Sequence, residues 1–454
     1  MYFALPWIKA KNIVLTIASL LFYAWGEPIW VVLLIFSAVV DYCNGRVIDK
    51  YRGKWQAKLG MAMSLVINLG MLAGFKYLNF FIGNINALFG ASIPESSLTL
   101  PIGISFYTFQ TLSYSIDVYR DKVEVQRSFL NFLLFVSLFP QLIAGPIVRY
   151  SEVAPQLAER HTTPRDFTEG ATRFVCGLGK KVLLANYAGA AATSLLEGTI
   201  TGGTAVSSWL GILLYAFQIY FDFSGYSDMA IGLGRIFGFR YAENFDHPYI
   251  SKSITEFWRR WHMTLGAFFR DYVYIPLGGN RKGLPRQLLN MLIVWSLTGF
   301  WHGASWNFVL WGLWFFVLLA IEKLITLDKL EKLPSPVRLL GTFLMVLFGW
   351  VLFYFTDLSA MGNCLKNMFG AGGFINDEAR LSLVQNIPLL IVCIIGSTPV
   401  VQFGARTLRG AAEKEAIPFG AYAVPAMVFI AVTLSVCAVS LAGSSFNPFI
   451  YYRF

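Results

Sequence analysis

The sequence is poor in charged residues and in histidine. Asp, Glu, Lys and Arg make up 14% of its 454 residues and only four are histidine, whereas a soluble globular protein carries about 25% charged residues. Hydrophobic residues amount to 56%, too many for a polar surface to cover. Apolar stretches such as residues 337–355 and 421–441 reach the roughly 17–25 residues that cross a bilayer. These features exclude an ordinary soluble protein and predict an integral membrane protein with many spans.

Cysteine is also scarce, and its spacing matches no metal-site or disulfide pattern. The cysteines stand far apart, and most lie in apolar segments: Cys43, Cys176, Cys364, Cys393 and Cys437. We therefore expect free, buried thiols, no disulfide framework and no metal site. No small-residue cleavage site follows the first apolar run, so we also expect no cleavable signal peptide.

The net charge of +10 is carried mainly by short loops between apolar segments. Such loops keep Lys and Arg on the cytoplasmic side of a membrane, so the charge indicates topology; we expect lipids as partners and no nucleic acid. The charge pattern predicts a single domain, residues 1–454, with about 10 to 12 membrane segments and an extracytoplasmic C-terminus. The predicted segments are residues 12–25, 29–42, 59–82, 102–118, 129–144, 182–196, 206–220, 288–300, 306–321, 337–355, 387–403 and 421–441.

One of these segments does not fit a simple alternation of cytoplasmic and external loops. If residues 129–144 crossed fully, the run of Arg and Lys that follows would lie outside. The steps Phe139-Pro140 and Gly145-Pro146 indicate a broken or re-entrant segment instead. Non-helical backbone is tolerated at membrane depth only beside protein or a cavity, so we expect a cavity here.

His302 is the most informative residue, a lone imidazole in an apolar stretch. A helix over residues 288–301 would rise about 21 Å at 1.5 Å per residue, less than the hydrocarbon core of about 30 Å. Starting at Arg286 on the cytoplasmic side, the chain therefore reaches His302 inside the membrane. An ionisable group at that depth indicates function by default. A neutral histidine bonded to a neighbouring hydroxyl or carbonyl is the alternative.

A second histidine, His262, lies on a predicted amphipathic helix, residues 254–270, at the cytoplasmic interface. The arginines nearby are either anchors for lipid headgroups or ligands for a phosphate-bearing donor. The glycine-rich residues 278–283 are either a phosphate-binding loop or a simple turn. The candidates for donor binding in this region are Arg259, Arg260, Arg270, Asp271, Asn280 and Arg281.

Other polar side chains in apolar segments are weaker candidates. Asp222 and Ser224 either line a cavity or cap a helix, and capping is the expected role. Gln110 is a candidate to line the same cavity, and Trp301 and Asn307 flank His302. The sequence has no Gly-x-Ser-x-Gly motif, so a histidine without a resident nucleophile is predicted to act as a general base on the hydroxyl of an acceptor.

Several long motifs follow one another along almost the whole chain: residues 100–110, 144–147, 220–228, 257–262, 270–281, 301–307 and 446–454. In this order they resemble the membrane-bound O-acyltransferase superfamily, specifically the bacterial branch typified by alginate O-acetyltransferase. Members of that branch usually have another apolar segment before residues 2–6, which leaves open whether a segment precedes Met1.

The resemblance implies an all-α bundle of membrane helices around a central tunnel, with broken helices, cytoplasmic amphipathic helices and a family core at about residues 100–325. It assigns the essential histidine to His302, through the Trp301-His302-Gly303 context, and a second family histidine to His262. Neither a cofactor nor a metal is implied as a bound group.

The resemblance also implies a reaction in the bacterial plasma membrane. An acyl group, most simply acetyl, passes from a cytoplasmic thioester toward a hydroxyl of an extracytoplasmic polysaccharide, and an SGNH-type acyltransferase outside the cytoplasm is the implied partner. The donor, acetyl-CoA or an acylated carrier protein, stays open, as does the polymer: alginate, peptidoglycan, cellulose or another. Tyr451 in the tail is either a transient acyl carrier or an interfacial anchor. A transporter or flippase and a non-catalytic scaffold of an export complex are the alternatives to an enzyme.

Overall fold

The computed structural model describes residues 2–143, 145–325, 331–414 and 418–443, together with Lys329 and Phe449, and describes no side chains for residues 199–201, 419 and 422. Within these residues the chain is helical and contains no strand. The first helices are α1 (Ile8–Gly26), α2 (Val31–Lys50), α3 (Trp55–Leu72), α4 (Leu78–Phe89), α5 (Ile104–Tyr119), α6 (Phe129–Ser137), α7 (Phe139–Leu142), α8 (Tyr150–Ala158), α9 (Pro164–Gly179) and α10 (Asn186–Gly202).

The second half begins with the longest helix, α11 (Ala205–Ile236). It is followed by α12 (Ile254–Arg260), α13 (Met263–Phe269), α14 (Leu284–His302), α15 (Trp306–Ile325), α16 (Ser335–Tyr354), α17 (Leu358–Met368), α18 (Asp377–Gly396), α19 (Val400–Glu413) and α20 (Phe419–Gly443). π-Helical turns at Ala73–Tyr77 and Lys180–Ala185 join α3 to α4 and α9 to α10 without interruption.

Eight helical runs in the described part of the chain are long and apolar enough to cross a membrane. They are Ile8–Gly26, Val31–Lys50, Trp55–Phe89, Ala205–Ile236, Trp306–Ile325, Ser335–Tyr354, Asp377–Gly396 and Ala423–Gly443. A transmembrane helix satisfies its backbone hydrogen bonds internally, which is why an apolar chain of this kind is helical. The prediction of an all-α polytopic membrane protein is confirmed.

The chain forms two compact units. The first comprises Met1–Ala171, Ala230–Ala242 and Arg270–Tyr272, and the second comprises Thr172–Met229, Glu243–Phe269 and Val273–Phe454. Both histidines of interest, His262 and His302, belong to the second unit, whereas Gln110, Arg270 and Asp271 belong to the first.

A buried polar cluster holds α2, α3 and α5 together in the first unit. The carboxyl group of Asp41 accepts hydrogen bonds from Ser64, from Asn68 (2.7 Å) and from Ser115 (2.9 Å). Asn68 in turn accepts a hydrogen bond from Ser37 (2.9 Å). Buried polar groups stabilise a bundle only when they are paired in this way, so the cluster fixes how the three helices pack.

The predicted break in residues 129–144 is confirmed within the first unit. Helix α6 ends at Ser137, Leu138 leaves the helical conformation with ψ 112°, and α7 begins at Phe139. Pro140 is tolerated here because it lies at the start of α7, where its missing N–H is not needed. The backbone N–H of Phe139, which the break releases, donates to the hydroxyl of Ser19 at 3.1 Å.

Other predicted boundaries are wrong. Residues 206–220 are only the first half of α11, which continues through polar residues to Ile236. Residues 387–403 divide into α18, which ends at Gly396, and α19, which begins at Val400. Cys43 is exposed on α2, contrary to the expectation of buried thiols. The two wrong boundaries both came from hydropathy, which does not mark a helix that continues through polar residues or a break between two helices.

In the second unit α14 and α15 pack unusually close together. A Cβ atom added to Gly299 would clash with the carbonyl oxygen of Phe308, and one added to Gly312 would clash with that of Trp295. Small residues permit this approach of two membrane helices. The crossing brings the end of α14, with His302, against the first turns of α15.

Candidate functional site

His302 is the last residue of α14, and the extended residue Gly303 follows it. The side chain is buried, with a relative exposure of 3%. Its ring lies edge-on to Trp311 of α15 at 4.8 Å and to Phe353 of α16 at 5.2 Å between ring centroids. The sequence prediction of a buried imidazole at the end of an apolar helix therefore describes its place correctly, and three helices of the second unit hold it.

Asn307 supports this arrangement from the first turn of α15. Its Nδ2 atom donates to the carbonyl oxygens of Leu352 at 3.2 Å and of Phe353 at 3.3 Å. These bonds fix the end of α16, and with it the ring that packs on His302. The Oδ1 atom of Asn307 has no hydrogen-bond partner among the described residues. Asn307 therefore links the first turn of α15 to the end of α16.

His262 occupies the break between α12 and α13, with a positive φ of 44°. The predicted single amphipathic helix over residues 254–270 is wrong, because the chain turns sharply at Trp261 and His262 before α13 begins. A positive φ is uncommon for a residue with a side chain and often marks a functional position. The imidazole is 1% exposed and lies edge-on to Phe223 of α11, 4.6 Å between centroids.

Burial lowers the pKa of the His262 imidazole to about 3. Transfer out of water disfavours the charged form of a histidine, so this ring is neutral at physiological pH. Its Nδ1 atom lies 3.0 Å from the Oδ1 atom of Asn244, which precedes α12 in the chain.

Trp301 connects the two histidines. Its indole ring is 5.0 Å from the ring of His302 and 5.9 Å from the ring of His262, measured between centroids. The two imidazoles therefore lie no farther apart than the sum of these distances, on one aromatic cluster inside the second unit. The histidines that the sequence placed 40 residues apart are brought together, as a shared reaction centre requires.

The start of α12 is anchored by Glu322 near the end of α15. The carboxylate accepts hydrogen bonds from the backbone N–H groups of Ile254 (2.5 Å) and Thr255 (2.8 Å). A negative charge is favourable at a helix N-terminus because the first N–H groups there lack partners within the helix. Glu322 thus fixes the short helix α12 that precedes His262, and no feature of the sequence indicated this long-range pairing.

The two arginines of α12 have different surroundings. Arg260 is bonded to Glu256 at 3.0 Å and to the backbone oxygen of Asp246 at 3.1 Å, which makes it a structural residue. Arg259 is exposed and forms no ion pair or hydrogen bond with another residue that the structure describes. Of this pair, Arg259 is the guanidinium that remains available to a lipid headgroup or a donor phosphate.

Arg270 and Asp271 take part in a charged cluster of the first unit. Burial alone would raise the pKa of Asp271, but hydrogen bonds from Arg270 (2.7 Å) and Arg149 (2.7 Å) outweigh it and hold the pKa below its usual value. The neighbouring Tyr272 donates to Asp117 at 2.8 Å. These contacts tie the segment to α5 and to the residues before α8, while the guanidinium of Arg270 stays largely exposed.

Asn280 and Arg281 lie on an exposed turn before α14. The turn is held by Asn290, a buried residue of α14, which donates to the carbonyl oxygen of Gly279 at 2.9 Å. The structure thus places both candidates at the surface, on a turn held from within by α14.

The remaining polar candidates are buried. Gln110 of α5 is fully buried, and neither polar atom of its amide has a hydrogen-bond partner among the described residues. The expected capping role of Asp222 and Ser224 is wrong, because both lie inside α11 rather than at its end. Asp222 instead forms an ion pair with Lys181 at 2.7 Å. The hydroxyl of Ser224 is buried without a partner in the described part of the chain, as expected of a side chain that meets a ligand or water.

Tyr451 lies outside the described residues. Among the residues that are described, no group of three or more His, Cys, Asp and Glu side chains is placed to hold a metal ion.

Asn244, which holds His262, is not among the candidates that the sequence indicated. Asn244 donates through Nδ2 to the hydroxyl of Ser227 at 3.1 Å, and its Oδ1 faces the imidazole. A signal was present in the polar residues within the aromatic stretch 241–247, but only the fold shows which ring they meet.

Comparison with known proteins identifies the family of the chain. The sequence model described as MBOAT, membrane-bound O-acyltransferase family, matches residues 108–328, a range that contains both histidines. A protein of Azotobacter vinelandii named probable alginate O-acetylase AlgI is 38% identical over 484 aligned positions, covering 100% of this chain and 96% of the relative. The protein of the same name from Pseudomonas aeruginosa is 41% identical and covers 90% of this chain and 80% of the relative.

A peptidoglycan O-acetyltransferase of Helicobacter pylori is 35% identical over 79% of this chain and 74% of its own length. Similarity at this level over nearly the whole sequence extends well beyond the motifs around the histidines. The chain therefore belongs to the membrane-bound O-acyltransferase family and is a multi-pass membrane O-acyltransferase.

Proposed function

We propose that this protein moves an acetyl group from a cytoplasmic thioester across the membrane toward hydroxyl groups of an extracytoplasmic polysaccharide, with His302 as the general base. The relatives named for alginate and for peptidoglycan support a polysaccharide acceptor and an acetyl group. The single observation that carries the assignment of the base is the burial of His302 at the end of α14, one indole away from His262.

The reaction needs few groups from the protein. A nitrogen of neutral His302 takes the proton of the acceptor hydroxyl while the hydroxyl oxygen attacks the carbonyl carbon of the thioester. The new C–O bond forms, the C–S bond breaks, and the leaving thiolate takes up the proton. General-base assistance of this kind contributes about 10² to 10⁴ in rate, and a buried aromatic site limits hydrolysis of the thioester by water.

The donor is proposed to be acetyl-CoA or an acylated carrier protein, both of which carry phosphate. In the second unit, the exposed guanidinium of Arg259 and the turn of Asn280 and Arg281 are the groups proposed to receive that phosphate, since guanidinium suits phosphate oxygens. The exposed Arg270 is a separate candidate on the first unit. These residues precede the site in the chain on the side that the charge pattern assigns to the cytoplasm.

The later steps are proposed to take place outside the cytoplasm of a bacterium, at its plasma membrane. An SGNH-type acyltransferase is the proposed partner that completes transfer to the polymer. The hydroxyl of Tyr451 is the candidate acyl carrier on this chain, because the charge pattern assigns the C-terminus to the same side.

Thiol release by the purified protein in detergent tests the role of His302. With acetyl-CoA or acylated carrier as donor and a hydroxyl-bearing oligosaccharide as acceptor, we expect His302→Gln to lower the rate by about 10² or more, since the base is lost. His161→Gln is the matched control, because the side chain of His161 is 84% exposed. Wild-type rates in folded His302→Gln protein would refute the assignment, and absence of any thiol release from the wild type would favour a transporter or a scaffold.

A further inference from the structure

The orientation of the Asn244 amide is fixed by a group that can only donate. The backbone N–H of Thr264 points to the Oδ1 atom of Asn244 at 3.3 Å, and the hydroxyl of Thr264 lies 3.0 Å from the same atom. An amide nitrogen in that position would face a backbone N–H, so the atom there is the oxygen. The nitrogen of the amide then points to the hydroxyl of Ser227 on α11, 3.1 Å away.

This orientation determines which nitrogen of His262 carries the proton. The Nδ1 atom of His262 lies 3.0 Å from the Oδ1 atom of Asn244, and an amide oxygen can only accept. Nδ1 is therefore the donor, and in a neutral imidazole the other nitrogen, Nε2, has a free lone pair.

The lone pair of Nε2 is buried without a partner. No described residue forms a hydrogen bond with Nε2, and the side chain is 1% exposed. Rings of Phe223, Phe245 and Trp301 surround the imidazole. A buried acceptor that is left unpaired is costly, and in a native protein it calls for a ligand, an ordered water or a catalytic role.

The backbone of Asn244 also holds the turn that carries His262. The N–H of Met263 donates to the backbone oxygen of Asn244 at 3.0 Å, directly after the residue with the positive φ. Asn244 thus holds the turn through its main chain and the imidazole through its side chain. Acidic neighbours on the same segment are paired elsewhere, Glu243 with Arg173 and Asp246 with Arg260.

We propose that Asn244 is a positioning residue that holds His262 in the Nδ1–H tautomer and so presents Nε2 as a hydrogen-bond acceptor to an O–H or N–H group of the substrate. This rests on the proposed function, because it takes the site of the two histidines as the reaction site. The O–H or N–H group that bonds to Nε2 belongs either to the hydroxyl of the polysaccharide or to an amide of the arm that carries the thioester. His302 remains the base, and His262 orients the group that reacts or the arm that delivers it.

The tautomer of His262 can be measured without an activity assay. The chain has only four histidines, so ¹⁵N-histidine labelling in detergent gives few signals, and His262→Gln assigns the pair that disappears. We expect a protonated Nδ1 and a bare Nε2 for His262 in the wild type, and loss of this fixed state in Asn244→Leu. A protonated Nε2 in the wild type, or an unchanged tautomer in Asn244→Leu, would overturn the proposal.

Kinetics then separate positioning from folding. Asn244→Leu should lower kcat/KM by about 10- to 100-fold, the cost of removing a residue that orients a metal-ligating histidine. Asn244→Asp, which keeps the acceptor oxygen, should restore most of the rate with the acidic limb of the pH profile moved to higher pH. Asn386→Leu is the matched control, because the Asn386 amide donates within its own helix, to the backbone oxygen of Ser382, and has no other hydrogen bond among the described residues. A rise in KM for the thioester identifies the carrier arm as the partner of Nε2, and a rise in KM for the oligosaccharide identifies the hydroxyl.

Two results distinguish an error in the role of Asn244 from an error in the proposed function. If Asn244→Leu and Asn244→Asp both keep wild-type kinetics while His302→Gln is inactive, the positioning role is wrong and the function stands. If His302→Gln is active, the function is wrong whatever the tautomer of His262.

Discussion

His262 and His302 are both buried, but different groups hold them. His302 packs among Trp301, Trp311 and Phe353, whereas His262 is bonded to Asn244 in a turn with positive φ. We therefore propose different roles for the two histidines: His302 takes a proton, and His262 orients a group of the substrate.

Burial of neutral His262 makes the stability of the protein depend on pH. The folded state excludes a proton down to pH about 3, whereas the unfolded chain takes one up below its ordinary pKa of 6.5. The unfolded state then binds more protons, so stability falls as the pH falls through this window. We expect the melting temperature of the wild type in detergent to drop more steeply between pH 7 and pH 4.5 than that of His262→Gln.

The quantity to compare is the slope of melting temperature against pH, because His262→Gln also loses the bond to Asn244 and so has a different absolute melting temperature. His161→Gln, at an exposed site, should keep the wild-type slope. Equal slopes for wild type and His262→Gln would show that the imidazole is charged or accessible in the folded protein.

The sequence predicted His302 more fully than His262. The position of His302 follows from local quantities, the length of an apolar helix and its starting charge. The environment of His262 depends on Asn244, which is 18 residues away and meets it only after the chain turns. Hydrogen bonds between side chains on different segments leave no periodic pattern, so the sequence could not reveal this pair.

At the scale of elements, the close crossing of α14 and α15 positions the site. A methyl group on Gly312 would clash with the backbone oxygen of Trp295, and helices must then move apart near His302. We expect Gly312→Ala to destabilise the protein by about 1 to 3 kcal/mol, the usual cost of overpacking, and to lower activity as well. Thermal unfolding in detergent and thiol release measure the two effects.

Gly341→Ala provides the control for this prediction. Gly341 lies in α16, and an added Cβ would meet nothing within 4 Å. Alanine is favoured over glycine inside a helix by about 0.5 to 1 kcal/mol, so this variant should be as stable as the wild type or more so. If Gly312→Ala behaved in the same way, α14 and α15 would not be in the close contact described.

The elements themselves were predicted unevenly. Hydropathy predicts long apolar helices such as α2, α15 and α16, because a helix with an apolar surface on all sides is stable in a bilayer. It did not predict the full length of helix α11, because the second half of that helix carries the buried polar residues Asp222 and Ser224 and the half-buried Asp228. Asp222 forms an ion pair with Lys181, and Asp228 forms one with Lys180. The break at His262 was missed because bonds to Asn244 hold it, and no proline or glycine marks it in the sequence.

At the scale of the whole molecule, the protein is a multi-pass O-acyltransferase whose two histidines lie inside the second unit. The proposed transfer brings donor and acceptor from opposite sides of the membrane. A soluble-type acetyltransferase would instead take both substrates from one side.

Sided proteoliposomes distinguish the two topologies. The protein is reconstituted in one orientation, and labelled acetyl-CoA or acylated carrier is supplied on the face of the basic loops. The oligosaccharide, with the SGNH-type partner, is enclosed on the other face. We expect label on the enclosed oligosaccharide with wild-type protein and with His161→Gln, and about 10² or more less label with His302→Gln. Labelling only when donor and acceptor share one face, or undiminished labelling with His302→Gln, would contradict a transfer across the membrane with His302 as base.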